Sequence, residues 1–375
     1  MPSKQFGTIW KAEPHTIAKI TILEAYLQAW FQIMGRSMFG SDILYIDGFA
    51  GPGEYTNSAK GSPIAALSAA KTAFTSVGSH WKAGAIHCAF IESDGKKFEH
   101  LEQIIDRLDA TKAIRLYKIH NSFRDGINQI KAEVPGSFSE ASPLFVFIDP
   151  FGATGVPFSA VSEILKSPRS EVLLNFDADG IARIYKAGDS ANCTALLDEI
   201  FGNHAWESGL AGIGDFTSLC RQVLHLYKQS LRQLPNVRYD FAFEMRTHAK
   251  SLNYYLVFAS QHHLGLEKMK EAMKKVDQTG TFQFSDAHVD QPGLFRFDQP
   301  GNYSPVLFAH FQGKAARYKE LRDFALNETP FINPKSMLKE LELKELISVY
   351  SSDPKRRKGT FSEEKIEKIV FKGSE

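Results

Sequence analysis

The sequence predicts an α/β protein in which a parallel sheet ends in an antiparallel hairpin and a small second domain follows. Strand-like and helical segments alternate between residues 16 and 177, which indicates right-handed crossovers between parallel strands. Two further strand-like runs, 237–245 and 254–259, are separated by only eight residues. A parallel crossover needs about a dozen residues or more, so we expect these two runs to pair antiparallel.

The composition is that of an ordinary globular protein, since 43% of the 375 residues are hydrophobic and 23% are charged. The length predicts roughly two domains. No apolar run approaches the roughly 18 residues that indicate a membrane span, and the N-terminal segment is too mixed for a signal peptide. Cys88, Cys193 and Cys220 lack any CxxC spacing, which favours a reducing, cytoplasmic setting. The net charge of +1 does not indicate a partner.

Hydrophobic spacing defines each element in turn. Residues 16–34 carry apolar side chains at helical spacing and form the first, amphipathic helix. Ser62 and Pro63 are typical of a helix start, with serine at the N-cap and proline in the first turn. Residues 144–149 are almost wholly apolar, as in a strand buried on both faces. The other predicted strands span 43–47, 86–92, 114–119 and 171–177, and the other helices 62–74, 96–108, 124–131 and 158–166.

Five parallel strands closed by an antiparallel pair make the sheet of the Rossmann-like methyltransferases. A dinucleotide-binding dehydrogenase more often ends on another parallel strand. We therefore expect a Rossmann-like methyltransferase domain over residues 1–275.

The first strand runs into a glycine-rich segment, YIDGFAGPG, which contains Asp47, Gly48, Gly51 and Gly53. In a dinucleotide-binding loop the last glycine opens a helix, whose N-terminus holds the pyrophosphate. Here the next helix starts some eight residues later, which favours a cofactor without phosphates, such as S-adenosylmethionine. Asp47 would receive the ammonium of its amino-acid tail, and the glycines would let the backbone approach it. The alternative is a tight turn without a ligand.

Polar residues also follow the second and third predicted strands. The second strand ends in FIESD, where Glu92 is placed to accept the ribose hydroxyls of an adenosine cofactor. The third is followed by IHNSFRDG, where Asn121 is the candidate for the adenine amine and Asp125 a substitute. Glu92 has an alternative interpretation as a solvated loop acid.

The fourth strand ends in FIDPFG, which contains Asp149, Pro150 and Phe151. In amino-methyltransferases a related loop of an acid or amide, two prolines and an aromatic residue lies beside the sulfonium methyl. Its acid and a proline carbonyl accept hydrogen bonds from an exocyclic amine, and its aromatic ring stacks on the base. Asp149, Pro150 and Phe151 are therefore the predicted catalytic residues, although Phe151 replaces the second proline. A similar tetrapeptide occurs in tRNA guanine-N2 methyltransferases, and an ordinary turn would also have this sequence.

The chain resembles the three-Cys-motif partner proteins. The resemblance is carried by these motifs together with LLNFDADGIARI and YYLVFASQHHLGLEKMKEAM. The resemblance covers most of the sequence. It implies a bacterial or archaeal protein with a methyltransferase-like domain, and a neighbouring protein that bears the three cysteines. It also matches Lys19 to a lysine that reaches the cofactor tail, and Asn175 and Arg183 to the substrate side or to a loop-fixing role. A surface position is the preferred interpretation of His262 and His263.

The C-terminal region has a different organisation. Residues 276–312 are expected to form an extended connecting segment, and the order of elements in 313–375 is typical of a winged helix. Residues 311–375 contain 14 Lys and Arg against 11 Asp and Glu, a net charge of +3. The positive charge is concentrated in a predicted hairpin turn. Such a turn is suited to contact nucleic-acid phosphates, and the alternative is a turn that docks onto a protein. Its four adjacent cations are Lys355, Arg356, Arg357 and Lys358.

The sequence thus predicts an S-adenosylmethionine-dependent methyltransferase that acts on an exocyclic amine of a DNA or RNA base. The base would have to be unpaired or flipped out. One alternative is a non-catalytic protein that uses the same fold to support its three-Cys-motif partner, and a second is methylation of that partner. No His, Asp or Glu spacing indicates a metal site.

Overall fold

The computed structural model describes residues 8–57, 59–108, 113–134, 136, 138–188, 190–247, 253–277, 279–286 and 298–373. The chain divides into two compact units. The sheet unit comprises Met1–Val276 and Phe284–Asp290, and the C-terminal unit comprises Asp277–Gln283 and Gln291–Glu375. Among the described residues, no helix is long and apolar enough to cross a membrane.

The sheet unit is built on a sheet with the strand order β3-β2-β1-β4-β5-β7-β6-β8. Strands β1 to β5 pair in parallel, and β7 pairs antiparallel with both β5 and β6. The predicted fold class and hairpin are therefore confirmed. The strands are β1 (Ile43–Asp47), β2 (Ile86–Glu92), β3 (Ile114–His120), β4 (Leu144–Ile148), β5 (Ser170–Phe176), β6 (Tyr239–Arg246), β7 (Asn253–Ser260) and β8 (Gln283–Ser285).

Ten helices in the described part of this unit accompany the sheet. The predicted cap of the second helix is wrong by one residue, because Gly61 is the N-cap and its N–H donates to the carbonyl of Gly53 at 2.9 Å. The helices between β5 and β6 were not predicted from the sequence. The helices are α1 (Pro14–Ser37), α2 (Ser62–Val77), α3 (Gly95–Arg107), α4 (Phe123–Glu133), α5 (Phe158–Leu165), α6 (Ala178–Lys186), α7 (Ala191–Phe201), α8 (Trp206–Leu210), α9 (Phe216–Arg232) and α10 (His263–Met273).

The core lies on both faces of the central strands. Every residue of β1 and β4 is buried. On one face, Leu44, Ile46 and Val146 pack in a cluster with residues of α4 to α9. On the other face, Tyr45 lies in an aromatic group with Phe145, and Tyr26 of α1 packs on the same Phe145 ring. Because alternate strand residues point to opposite faces, this double burial explains the near-continuous apolar runs.

The C-terminal unit has its own core, which includes Leu321, Leu338 and Ile369. Its three-stranded sheet has the order β10-β11-β9 and is antiparallel. The element order agrees with the one expected for a winged helix, but that assignment stays a prediction. Its elements are α11 (Pro300–Phe311), β9 (Ala315–Ala316), α12 (Tyr318–Glu328), α13 (Lys335–Leu343), β10 (Ile347–Ser351) and β11 (Ile366–Phe371).

The expectation of an extended connection over 276–312 is wrong for residues 300–311. These residues form α11, which starts at Pro300 and buries Leu307 in the core of the C-terminal unit. The glycine and two prolines of this stretch obscured its helical character in the sequence, and tertiary packing outweighs their low propensity. Residues 287–297 of the expected connection lie outside the described residues.

Candidate functional site

The carboxyl ends of five parallel strands bring the predicted residues to one edge of the sheet. Asp47 ends β1, Glu92 ends β2, and Asn121 follows β3. Asp149 follows β4, and Asn175 lies near the end of β5. The strand order reverses between β1 and β4, because β2 and β3 lie on one side of β1 and β4 and β5 on the other, and in open α/β sheets ligands bind at this switch point.

Asp47 is fully buried at this switch point. Its Oδ1 accepts the Phe49 N–H at 3.3 Å, whereas Oδ2 is buried without a hydrogen-bond partner among the described residues. Burial raises the pKa of Asp47 to about 7, the Ser62 hydroxyl and the Phe49 N–H oppose this increase, and the charges of Asp149 and Glu92 add to it. A buried carboxylate with an unused oxygen is suited to receive a cationic group.

The glycine loop is fastened to the acid at the end of β2. Glu92 accepts the Gly51 N–H at 2.9 Å with one oxygen and the Asp94 N–H at 2.8 Å with the other. Gly51 and Gly53 have φ values of +61° and +88°, where side chains are strained, and a Cβ at Gly51 would meet nothing within 4 Å. The loop backbone is therefore open to a ligand at Gly51.

Gly48 has a different reason for being glycine. A Cβ at this position would clash with the ring of Phe123, which stacks on Phe49 with ring centroids 5.4 Å apart. The Gly48 N–H donates to the Phe147 carbonyl at 2.8 Å. Gly48 thus permits close packing beneath the loop, and its predicted cofactor contact stays a prediction.

Asn121 lies at the same edge, where its Oδ1 accepts the Ser122 N–H at 2.9 Å. Asp125 belongs to the start of α4, because the Ser122 hydroxyl donates to its carboxylate at 2.7 Å. Asn121 Oδ1 keeps a second lone pair that can accept a ligand N–H, while Asp125 is engaged in the helix cap.

Asp149 is the centre of a hydrogen-bonded group. The Lys19 ammonium lies 2.7 Å from its Oδ1 and 2.6 Å from its Oδ2, and the Asn175 amide donates to Oδ1 at 2.7 Å. The buried Lys19 is paired with Asp149, and its contact with the cofactor tail stays a prediction. Asn175 thus lies beside Asp149, and its role on the substrate side stays a prediction. Two donors on Oδ1 and one on Oδ2 leave Oδ2 able to accept another hydrogen bond.

Pro150 is buried, and Phe151 beside it is 71% exposed. The Phe151 ring contacts Trp10 edge-to-face at a centroid distance of 5.8 Å. The Lys97 ammonium lies 4.6 Å from the Phe151 centroid and 5.4 Å from the Trp10 ring. We call these three residues the aromatic platform. Only Phe151 of these three could be identified from the sequence, because Trp10 and Lys97 are distant from the motif along the chain.

The four cations of the C-terminal unit do not share one environment. Lys355, Arg357 and Lys358 are exposed. Arg356 instead forms two hydrogen bonds of 2.7 Å with the buried Glu342, so it serves the unit's own structure. The candidate phosphate contacts thus reduce to the other three.

Three other positions singled out in the sequence have partners within the sheet unit. Arg183 pairs with Asp179 at 2.7 Å, one turn away on α6. His262 caps α10, and His263 contacts Glu267 at 3.0 Å, which agrees with a surface pair. Tyr254 was not identified from the sequence. The hydrogen bond between His15 and Asp286 was not foreseen either, because it joins segments far apart in the chain.

Comparison with known proteins adds fold-level likenesses. No family model and no curated protein matches the chain, so its resemblance to the three-Cys-motif partner proteins stays a prediction. The chain is similar to Trm1 from Pyrococcus horikoshii, solved with S-adenosyl-L-methionine (11% identity, 75% of this chain and 65% of that chain covered, TM-score 0.36). It is also similar to an O-methyltransferase from Bacillus cereus solved with SAH (13% identity, 63% and 80% covered, TM-score 0.33). TM-scores this low do not support a functional assignment. The fold class is established by the strand order described above.

Proposed function

We propose that the protein is an S-adenosylmethionine-dependent methyltransferase that acts on an exocyclic amine of a nucleic-acid base. One observation carries the proposal. The buried acids Asp47 and Glu92 and the open loop at Gly51 lie on one side of the switch point, and Asp149 lies across it at the end of β4. A cofactor and an acceptor amine bound on these two sides would meet at the same edge of the sheet.

The residues fit the cofactor. The unpartnered Oδ2 of Asp47 would pair with the ammonium of its amino-acid tail. Each Glu92 oxygen already accepts one backbone N–H, which leaves one lone pair on each for the two ribose hydroxyls. Asn121 would accept an N–H of the adenine amine with the second lone pair of its Oδ1. When bound, the cofactor supplies an electrophilic methyl group on its sulfonium.

Asp149 would hold the acceptor amine. Its Oδ2 can accept one N–H of the amine, which turns the nitrogen lone pair toward the methyl group. Lys19 and Asn175 fix the carboxylate in place, and the ammonium offsets its charge in a partly buried setting. This arrangement contributes to the rate by orientation, and it needs no strong base if the nitrogen loses its proton after the transfer.

The aromatic platform supports a nucleic-acid acceptor. Exposed aromatic rings are stacking surfaces for unpaired bases, and a nearby cation suits a phosphate. Phe151 directly follows Pro150, so a base stacked on the Phe151 ring would lie close to Asp149. Trp10 is joined to the segment that follows the glycine loop, since its carbonyl accepts the Thr56 N–H at 3.0 Å.

A second candidate is the non-catalytic protein that supports a three-Cys-motif partner. The contact of Lys19 with both Asp149 oxygens favours it, because a bound ammonium competes with a substrate amine for the same carboxylate.

Methyl transfer distinguishes the two. The protein is incubated with methyl-labelled S-adenosylmethionine and, separately, with cellular DNA, RNA and protein extracts. We expect label in one of the nucleic-acid fractions, on a base amine after digestion to nucleosides. Label in the protein fraction alone would point to methylation of a partner, and no transfer to any fraction would favour the non-catalytic role.

A further inference from the structure

We propose that Asp149, Asn175, Tyr254 and Asp286 form a pocket for the Watson–Crick edge of guanine, an inference that rests on the proposed function. Asn175 Oδ1, the Tyr254 hydroxyl and Asp286 Oδ1 are buried, and none has a hydrogen-bond partner among the residues that the structure describes. Burying polar atoms unpaired is unfavourable, so their grouping beside Asp149 points to a ligand that pairs with them.

Contacts through α1 bring these residues together. Lys19 bonds to Asp149 and lies 5.8 Å from the centroid of the Tyr254 ring. His15 is one helical turn earlier, lies 6.1 Å from the same ring, and hydrogen-bonds to Asp286 at 2.7 Å. The Tyr254 ring therefore lies between the Asp149 group and the Asp286 group.

Strand register gives the same arrangement from the sheet side. Asn175 of β5 is opposite Leu256 of β7, and Tyr254 lies two residues along from Leu256, so all three point to the same face. Burial raises the pKa of Tyr254 well above its usual value, and the charges of Asp149 and Asp286 add to the increase, which agrees with the contacts described above.

The balance of donors and acceptors selects the base. Asp149 Oδ2, Asn175 Oδ1 and Asp286 Oδ1 are acceptors, whereas the Tyr254 hydroxyl can donate. Guanine offers N–H donors on two neighbouring atoms, N1 and N2, beside the acceptor O6. Adenine and cytosine place an acceptor ring nitrogen next to the amine, which would face another acceptor here. His15 holds Asp286 in position for this pairing.

The test uses single-stranded oligonucleotides that carry one guanine, adenine or cytosine in a uridine background. Their binding is measured by calorimetry in the presence of the demethylated cofactor. We expect the guanine probe to bind at least about tenfold more tightly than the others. Tyr254→Phe and Asp286→Asn should each remove most of this preference. Tyr255→Phe is the matched control, because Tyr255 lies on the opposite face of β7 and should leave the preference intact.

Equal affinity for the three probes, a preference for adenine or cytosine, or a guanine preference that survives both pocket variants would overturn the pocket. Methyl transfer to the same probes separates this failure from that of the proposed function. Transfer to adenine or cytosine alone refutes the pocket and leaves the proposed function standing. A guanine preference in binding without any transfer supports the pocket and refutes the methyltransferase.

Discussion

Asp47 shows how burial can make one residue a pH-dependent binding group. With a pKa of about 7, its carboxyl carries a proton in the free protein at pH 6, whereas an ammonium partner requires the carboxylate. Binding would then release a proton, and affinity would fall as the pH drops through 7. We expect the affinity for the demethylated cofactor to decrease about tenfold from pH 7.5 to pH 6.

Calorimetry at several pH values checks this expectation. Asp47→Asn should bind weakly at every pH, without the slope. A parent affinity that stays constant over this range would exclude Asp47 as the partner of the ammonium.

Asp149 is assigned to the acceptor, and its loss should separate chemistry from cofactor binding. Asp149→Ala should abolish methyl transfer while the cofactor affinity stays within a few fold of the parent value. Asp106→Ala, which removes an exposed carboxylate at the end of α3, is the control for a general charge effect. Labelled transfer and calorimetry are measured on the same preparations. Retained turnover in Asp149→Ala would remove this residue from the mechanism.

The sequence revealed the residues that directly follow strands, because strand ends and glycine loops have local signatures. It did not reveal the environment of these residues. The choice of Asp149 as the partner of Lys19 depends on where α1 crosses the sheet edge, and 130 positions separate the two residues. The same holds for His15 and Asp286, whose contact spans 271 positions.

At the scale of elements, a buried carboxyl joins α1 to the sheet. Glu171 of β5 accepts hydrogen bonds from Tyr26 of α1 and, at 2.9 Å, from Ser260 of β7. Burial raises the pKa of Glu171 to about 7, although both hydroxyl groups oppose this increase. A carboxyl whose pKa is higher in the folded state takes up a proton on folding. The free energy of unfolding therefore falls as the pH rises from about 4.5 to 7.

Glu171→Gln tests this linkage, since the amide keeps the shape and does not titrate. Relative to the parent, the variant should gain about 3 kcal/mol of unfolding free energy between pH 5 and pH 8. Denaturant unfolding of both proteins at the two pH values measures the difference. A difference that is the same at both pH values would mean that Glu171 is ionised in the folded protein throughout.

Elements with a clear local hydrophobic pattern, either a helical period or a continuous apolar run, were predicted well, whereas α11 was missed. The buried strand 43–47 agrees with β1, and the helix expected over 96–108 agrees with α3 to within one residue. Pro300–Phe311 was missed because its helical state depends on contacts in the core of the C-terminal unit. Short range patterns carry no information about such contacts.

At the scale of the whole molecule, the basic turn of the C-terminal unit is expected to add affinity for nucleic acid without sequence choice. Changing Lys355, Arg357 and Lys358 together to Ala should lower the slope of log affinity against log salt by about two to three on duplex DNA. A triple change of the exposed Lys71, Lys166 and Lys275 is the charge-matched control. Binding at several salt concentrations is the measurement.

An unchanged slope in the turn variant would instead favour docking of this unit onto a protein. Arg356 is left unchanged in the turn variant and in the control variant. Its removal would leave the buried Glu342 without its cationic partner and destabilise the unit by about 3 kcal/mol.

Calorimetric titration of the whole chain with the demethylated cofactor, NAD and ATP is the most direct test of the central claim, that the sheet edge at Asp47, Gly51 and Glu92 is an S-adenosylmethionine site. We expect the demethylated cofactor to bind at one site per chain, Glu92→Gln to weaken it, and the two phosphate-bearing compounds not to compete. Binding of NAD or ATP, with none of S-adenosylmethionine or its demethylated product, would contradict the assignment of this edge and the methyltransferase built on it.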